Sequence, residues 1–134
     1  GQKMSKSYGN IIPIFADDNK LNKIVMSIVT DSAGINDPKD KDTPLYKLYS
    51  LFLDSDEKKT LSDRYDTPGL RYGDIKKELL EKIYEHFSPY KKRREYLIKN
   101  VDEVYDILNK GREKAALVAS EYIDKTREAI GIAY

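Results

Sequence analysis

The sequence has no cysteine and a single histidine, His86. These shortages remove disulfides, thiol nucleophiles and every common zinc-ligand spacing, so no metal site is expected. No apolar run approaches the ~18 residues that a membrane span requires. The opening Gly1-Gln2-Lys3-Met4 also lacks the apolar core of a signal peptide. A soluble, cytoplasmic chain without a membrane partner is the expectation. Neither sign of charge dominates: 24 Lys and Arg stand against 23 Asp and Glu, for a net charge of +1. No global field therefore calls for DNA or RNA, and any basic surface must come from local clustering. Strand-like alternation, internal repeats and low-complexity tracts are missing as well.

What is present suits a helical, well-solvated protein. The 134 residues fit one domain able to bury a modest core. Charged residues make up 35% of the chain, above the usual ~25%, yet Leu, Ile, Val, Ala and Tyr are too plentiful for disorder. Residues 1–16 hold two Lys, two Gly and a Pro before the extended-looking Ile11-Ile12-Pro13-Ile14-Phe15, and read as a loop and short arm. Residues 17–134 read as helical. Asp17 and Asp18 stand at a helix start, and Leu21, Ile24, Val25 and Ile28 fall on one face. That helix is expected to stop near Thr30 to Gly34, followed by a solvated connection over 35–42. Thr43-Pro44 caps a second helix with Leu45, Leu48, Tyr49 and Phe52 as its buried stripe. Ser55 or Asp54 caps a third, ended by Thr67-Pro68-Gly69. A fourth opens at Gly73-Asp74 and carries Ile75, Leu79, Ile83 and Phe87, with Ser88-Pro89 marking either a kink or a restart. The last helix follows Asn100, paired with Glu103 as in a capping box, with a seam of Val104, Leu108, Gly111, Ala115, Val118 and Tyr122. The predicted fold class is all-α, a helical bundle preceded by a non-helical loop.

One motif carries chemistry. Lys3-Met4-Ser5-Lys6-Ser7, continued by Tyr8-Gly9-Asn10, sets two ammonium groups and two hydroxyls beside a glycine. Such a segment is a flexible cationic clamp for a polyphosphate. Cations beside a departing pyrophosphate stabilise a transition state in which negative charge is growing, so the loop would act by electrostatics rather than proton transfer. The pentapeptide resembles the signature of class I aminoacyl-tRNA synthetases. Ile24 to Ser32, Leu45-Tyr46-Lys47-Leu48, Tyr72-Gly73-Asp74-Ile75-Lys76-Lys77, Phe87-Ser88-Pro89-Tyr90 with Arg93-Arg94, and the long last helix then resemble, in order, tryptophan–tRNA ligases.

That resemblance implies an enzyme that uses ATP with Mg2+, tryptophan and tRNA(Trp), works as a homodimer and binds neither DNA nor membrane. It implies Lys3 and Lys6 as the catalytic contacts to the ATP phosphates, with Met4, Ser5 and Ser7 completing the ATP-binding loop. It also implies that the helices face the tRNA anticodon, with Lys76 as the leading base contact and Asp31 and Ser32 as weaker ones. The tryptophan pocket would belong to an amino-terminal half preceding Gly1, and a chain without it is expected to be inactive alone. The alternatives are the same region of another class I synthetase, or a helical RNA-binding or interaction module without catalysis.

Other residues point less far. Lys91-Lys92-Arg93-Arg94 is either a phosphate-contacting face or a solvated one, since consecutive residues radiate around a helix. His86 reads as structural or surface. Tyr49, Tyr84 and Tyr122 fall on apolar faces and read as core. Glu78 with Lys82 and Glu121 with Lys125 read as ordinary surface pairs at helical spacing.

Overall fold

A computed structural model describes residues 4–132, which contain five α-helices, a one-turn 3-10 helix at Lys6–Tyr8 and no strand. The all-α expectation is met. Helix α1 (Asp18–Met26) starts where Asp17 accepts the Lys20 backbone N–H at 2.8 Å, and it buries Leu21 and Val25. It ends several residues before the Thr30–Gly34 stop that its apolar spacing suggested. The Ser27 hydroxyl donates back to the Ile24 carbonyl at 2.8 Å, and the β-branched run Ile28-Val29-Thr30 gives helix propagation little support.

Helix α2 (Pro44–Ser50) has Thr43 as its cap and proline in its first turn, and it buries Leu45 and Tyr49. For α3 (Ser55–Asp66) the cap is Asp54, which accepts from the Asp56 and Glu57 N–H groups while its own N–H donates to Glu57 at 3.1 Å. This reciprocal capping box satisfies donors that helix geometry leaves unpaired. The turn after α3 passes through Gly69 at φ +103°, a conformation that a Cβ disfavours.

Helix α4 (Tyr72–Lys99) begins slightly ahead of Gly73-Asp74 and continues through Pro89 without restarting. The chain divides into two compact units, Gly1–Pro89 and Tyr90–Tyr134. In the first, Leu21 and Val25 of α1 pack with Leu45 and Tyr49 of α2, Leu61 and Tyr65 of α3, and Ile75, Leu79, Leu80 and Ile83 of α4. Tyr84 is half-buried against this core, and its hydroxyl donates to the Asp18 carbonyl at 3.1 Å.

Polar clasps join α3 to α4. Both Arg64 terminal nitrogens donate to the Glu78 carboxylate at 2.8 Å, and the Tyr49 hydroxyl donates to it at 3.1 Å. Lys82 meets Glu57 at 2.7 Å. The expected Glu78–Lys82 pair is therefore replaced by contacts that reach across to α3. The Arg64 guanidinium holds the Glu78 carboxyl below its ordinary range, while burial, aided by the Glu78 charge, pushes the Tyr49 hydroxyl up to about 12.

In the second unit, α5 (Val101–Ala129) has no buried residue. Along the predicted seam Val104 is half-buried, whereas Leu108, Val118 and Tyr122 are exposed, so Tyr122 is not a core residue. The anticipated capping box does not form. The Asn100 amide donates to the Tyr96 carbonyl at 2.8 Å, and Glu103 pairs with Arg93. Glu121 and Lys125 do pair along the helix, at 2.6 Å. Among the described residues no helix is long and apolar enough to cross a membrane.

Candidate functional site

Lys3, the first ammonium of the signature, lies outside the described residues; Met4 to Ser7 lie within them. Here the chain folds into one tight turn. Ser5 caps the 3-10 helix, its hydroxyl 3.3 Å from the Ser7 N–H and 2.6 Å from the Ser7 hydroxyl. The Ser5 N–H donates to the Asn10 side-chain oxygen at 2.8 Å, which closes the loop from its far side. Gly9 turns the chain at φ +65°, and its N–H returns to the Lys6 carbonyl at 3.2 Å. Met4, Lys6 and Ser7 are exposed. The turn thus presents one ammonium and a pair of linked hydroxyls outward, groups suited to anionic oxygens. By sequence Asn10 is only the tail of the motif; its closing role needs the three-dimensional turn.

A second group gathers where the segment after α1 meets the first turns of α4. Asp31 is exposed, but both carboxylate oxygens are held. One accepts the Ala33 N–H at 2.9 Å and the other accepts the Tyr72 hydroxyl at 2.8 Å. These bonds, the Ala33 N–H foremost, keep the Asp31 carboxyl below its ordinary range. Lys76, one helical turn beyond Tyr72, reaches back to the Met26 carbonyl at 3.0 Å and so ties α4 to the end of α1. Ser32 is exposed beside Asp31. Of the predicted trio, Asp31 is tied to the first turn of α4 through Tyr72 and Lys76 to the end of α1, with Ser32 next to Asp31 in the chain, so this corner joins α1, the segment after it and α4.

Sequence reading missed two members of this corner. By sequence Tyr72 is only part of a motif, and Lys39 only part of a solvated connection. Lys39 is in fact buried, at 5% exposure. Its ammonium donates to the Ala33 carbonyl at 3.3 Å and to the Gly34 carbonyl, and lies 5.4 Å from the centre of the Tyr72 ring. Its own N–H donates to the Tyr65 carbonyl at 2.8 Å. A buried ammonium must find acceptors, and here backbone carbonyls supply them. A lysine among alternating charges gives no sequence signal of this.

In the basic run, Arg93 is engaged with Glu103 and lies 5.0 Å from the Tyr96 ring centre. Among the described residues no three His, Asp or Glu side chains gather as a metal site.

Known proteins match the chain over nearly its whole length. The tryptophan–tRNA ligase of Fusobacterium nucleatum is 46% identical over 132 residues, 98% of this chain and 41% of that protein. The ligase of Rhodopirellula baltica is 43% identical over 133 residues, 98% of this chain and 42% of that protein. A crystal structure of tryptophanyl-tRNA synthetase from Campylobacter jejuni superposes with a TM-score of 0.86 at 39% identity, covering 98% of this chain and 43% of the other. The chain belongs to the tryptophan–tRNA ligase family. It spans about two-fifths of the length of these curated ligases and matches their carboxy-terminal part. No family-wide sequence model matches it. The same Campylobacter synthetase has also been solved in complex with ADP and tryptophan, again at a TM-score of 0.86.

Proposed function

We propose that this chain supplies two parts of a tryptophan–tRNA ligase: the loop that holds the ATP phosphates and the helical surface that meets the tRNA(Trp) anticodon. In the reaction a tryptophan carboxylate oxygen bonds to the α-phosphorus of ATP, the bond to the β-phosphate breaks, and pyrophosphate leaves. A ribose hydroxyl of tRNA(Trp) then takes the tryptophanyl group from the adenylate, the bond to the phosphate breaks, and AMP leaves. Lys3 and Lys6 neutralise the departing pyrophosphate, and Met4, Ser5 and Ser7 shape the loop around it. ATP enters as its Mg2+ complex, so the metal comes with the substrate.

The observation that carries this reading is the tryptophan-ligase likeness over 98% of the chain, with Ser5, Lys6 and Ser7 gathered in one exposed turn. The Campylobacter relative, solved with ADP and tryptophan, supports the choice of small ligands. Since the chain spans only about two-fifths of its relatives, the tryptophan pocket is assigned to the remainder, and the chain alone is inactive. The whole ligase is a cytoplasmic homodimer.

At the other site Asp31, Ser32 and Lys76 offer an acceptor, a hydroxyl and a cation, a set suited to the edges of unstacked bases. An intact ligase carrying this segment tests both halves. Lys6→Ala should slow tryptophan-dependent pyrophosphate exchange on the order of a hundredfold while changing tryptophan affinity little. Lys76→Ala should raise KM for tRNA and leave that exchange intact. Unchanged exchange in the first variant removes the phosphate role, and unchanged tRNA kinetics in the second removes the RNA role.

A further inference from the structure

We propose that Tyr72 is a positioning residue of the RNA-facing corner: its hydroxyl fixes the Asp31 carboxylate against the first turn of α4, the helix that carries Lys76, and its ring is held in place by Lys39. The inference rests on the reading of this corner as the anticodon-facing surface. It goes beyond that reading by naming a residue that governs base recognition from behind, through Asp31.

An exposed aspartate on a connecting segment would ordinarily sample several rotamers, and its acceptor lone pairs would have no fixed direction. Asp31 is restrained from two sides. The Ala33 N–H at 2.9 Å belongs to its own turn, but the Tyr72 hydroxyl at 2.8 Å comes from 41 residues away, at the start of α4. Only the second restraint relates the carboxylate to the helix that carries Lys76. The Tyr72 ring is itself located by the Lys39 ammonium 5.4 Å from its centre and by the Tyr65 ring, edge-on at 6.4 Å. Lys39 also grips the Ala33 and Gly34 carbonyls, so one buried cation fixes both the tyrosine and the turn behind Asp31. The carboxylate keeps acceptor capacity beyond these two bonds, because an ionised carboxylate has about four lone-pair sites. That capacity, on an exposed residue, suits the amino or ring N–H donors of an unpaired base.

The test places Tyr72→Phe, Asp31→Ala, their combination and Lys76→Ala in an intact ligase carrying this segment. Aminoacylation kinetics are measured with tRNA(Trp) and with an anticodon-substituted transcript, and pyrophosphate exchange is measured without tRNA. Loss of one positioning hydrogen bond should raise KM for tRNA about fivefold, with kcat and pyrophosphate exchange within about twofold. Discrimination against the substituted anticodon should narrow. Because Tyr72 acts through Asp31, adding Tyr72→Phe to Asp31→Ala should change nothing further. If Lys76→Ala raises KM for tRNA but Tyr72→Phe does not, the RNA reading stands and the positioning role is overturned. If Tyr72→Phe weakens tRNA binding equally on the Asp31→Ala background, or lowers pyrophosphate exchange in parallel, its effect is not through the carboxylate and the inference also falls. If neither Lys76→Ala nor Asp31→Ala alters tRNA kinetics, the corner does not meet RNA and both proposals fail together.

Discussion

In residues 1–89 the helices turn their apolar stripes inward, whereas in residues 90–134 a stripe of similar spacing stays exposed. Ile75, Leu79 and Ile83 of α4 are buried to 2% exposure or less; Leu108, Val118 and Tyr122 of α5 are exposed by more than half. The two sets of side chains are similarly apolar, and both follow helical periodicity. Periodicity therefore fixes that a helix forms and which face is apolar, but burial depends on whether other elements are there to cover that face. The sharpest way to break this comparison is a pair of truncations in the isolated chain. Leu79→Ala should cost about 2–5 kcal/mol and Leu108→Ala no more than about 0.5 kcal/mol, read from urea melts. Equal losses would mean that the α5 stripe is as well packed as the first core.

Charged pairs offer a second, smaller contrast. Glu78 accepts three hydrogen bonds from Arg64 and Tyr49, and its side chain is 34% exposed. Glu103 holds Arg93 on the exposed second unit. Glu78→Gln should cost about 1–2 kcal/mol at neutral pH, a figure kept low because both members of the ion pair are partly solvated. Glu103→Gln should shift the melt less. The Arg64 hydrogen bond, working against desolvation, sets the Glu78 pKa below the ordinary 4.5. The folded state therefore takes up the proton less readily than the unfolded chain. The stabilisation from Glu78 is complete above about that ordinary value and is lost as pH falls through the folded-state pKa. A melt series from pH 7 down to pH 3 should show the difference between wild type and Glu78→Gln shrinking toward zero, and a constant difference would refute the assignment.

The same contrast explains what the sequence reveals. Helices of the first unit are legible because caps and apolar spacing agree locally: Asp17, Thr43 and Asp54 each stand just before a buried stripe. The turn over Met4 to Ser7 is legible because its residue types stand consecutively in the sequence. Lys39, Tyr72 and Glu78 are not legible in their roles, since each is fixed by partners more than a dozen residues away or by carbonyls that only the fold aims at it. Local rules pair Glu78 with Lys82 because helical neighbours are always at hand; Arg64 wins because its two-pronged guanidinium matches both carboxylate oxygens. The ligase resemblance singles out Asp31, Ser32 and Lys76 by position, but the bond from Tyr72 to Asp31 emerges only from the folded chain.

The smallest expected difference concerns helix starts. Asp54 accepts two backbone N–H groups at the head of α3, and Glu57 answers with a bond to the Asp54 N–H. Asn100 stands at the head of α5 with no side-chain cap bond, its amide turned back to the preceding turn. Asp54→Ala should therefore cost about 1 kcal/mol, and Asn100→Ala at most about 0.5 kcal/mol. Native-state amide exchange at Asp56 and Glu57 should quicken in the first variant, since those two donors lose their acceptor, while exchange at the first residues of α5 should hardly change in the second. A larger loss at Asn100 would mean that its bond to the Tyr96 carbonyl ties α4 to α5 more firmly than an exposed junction should.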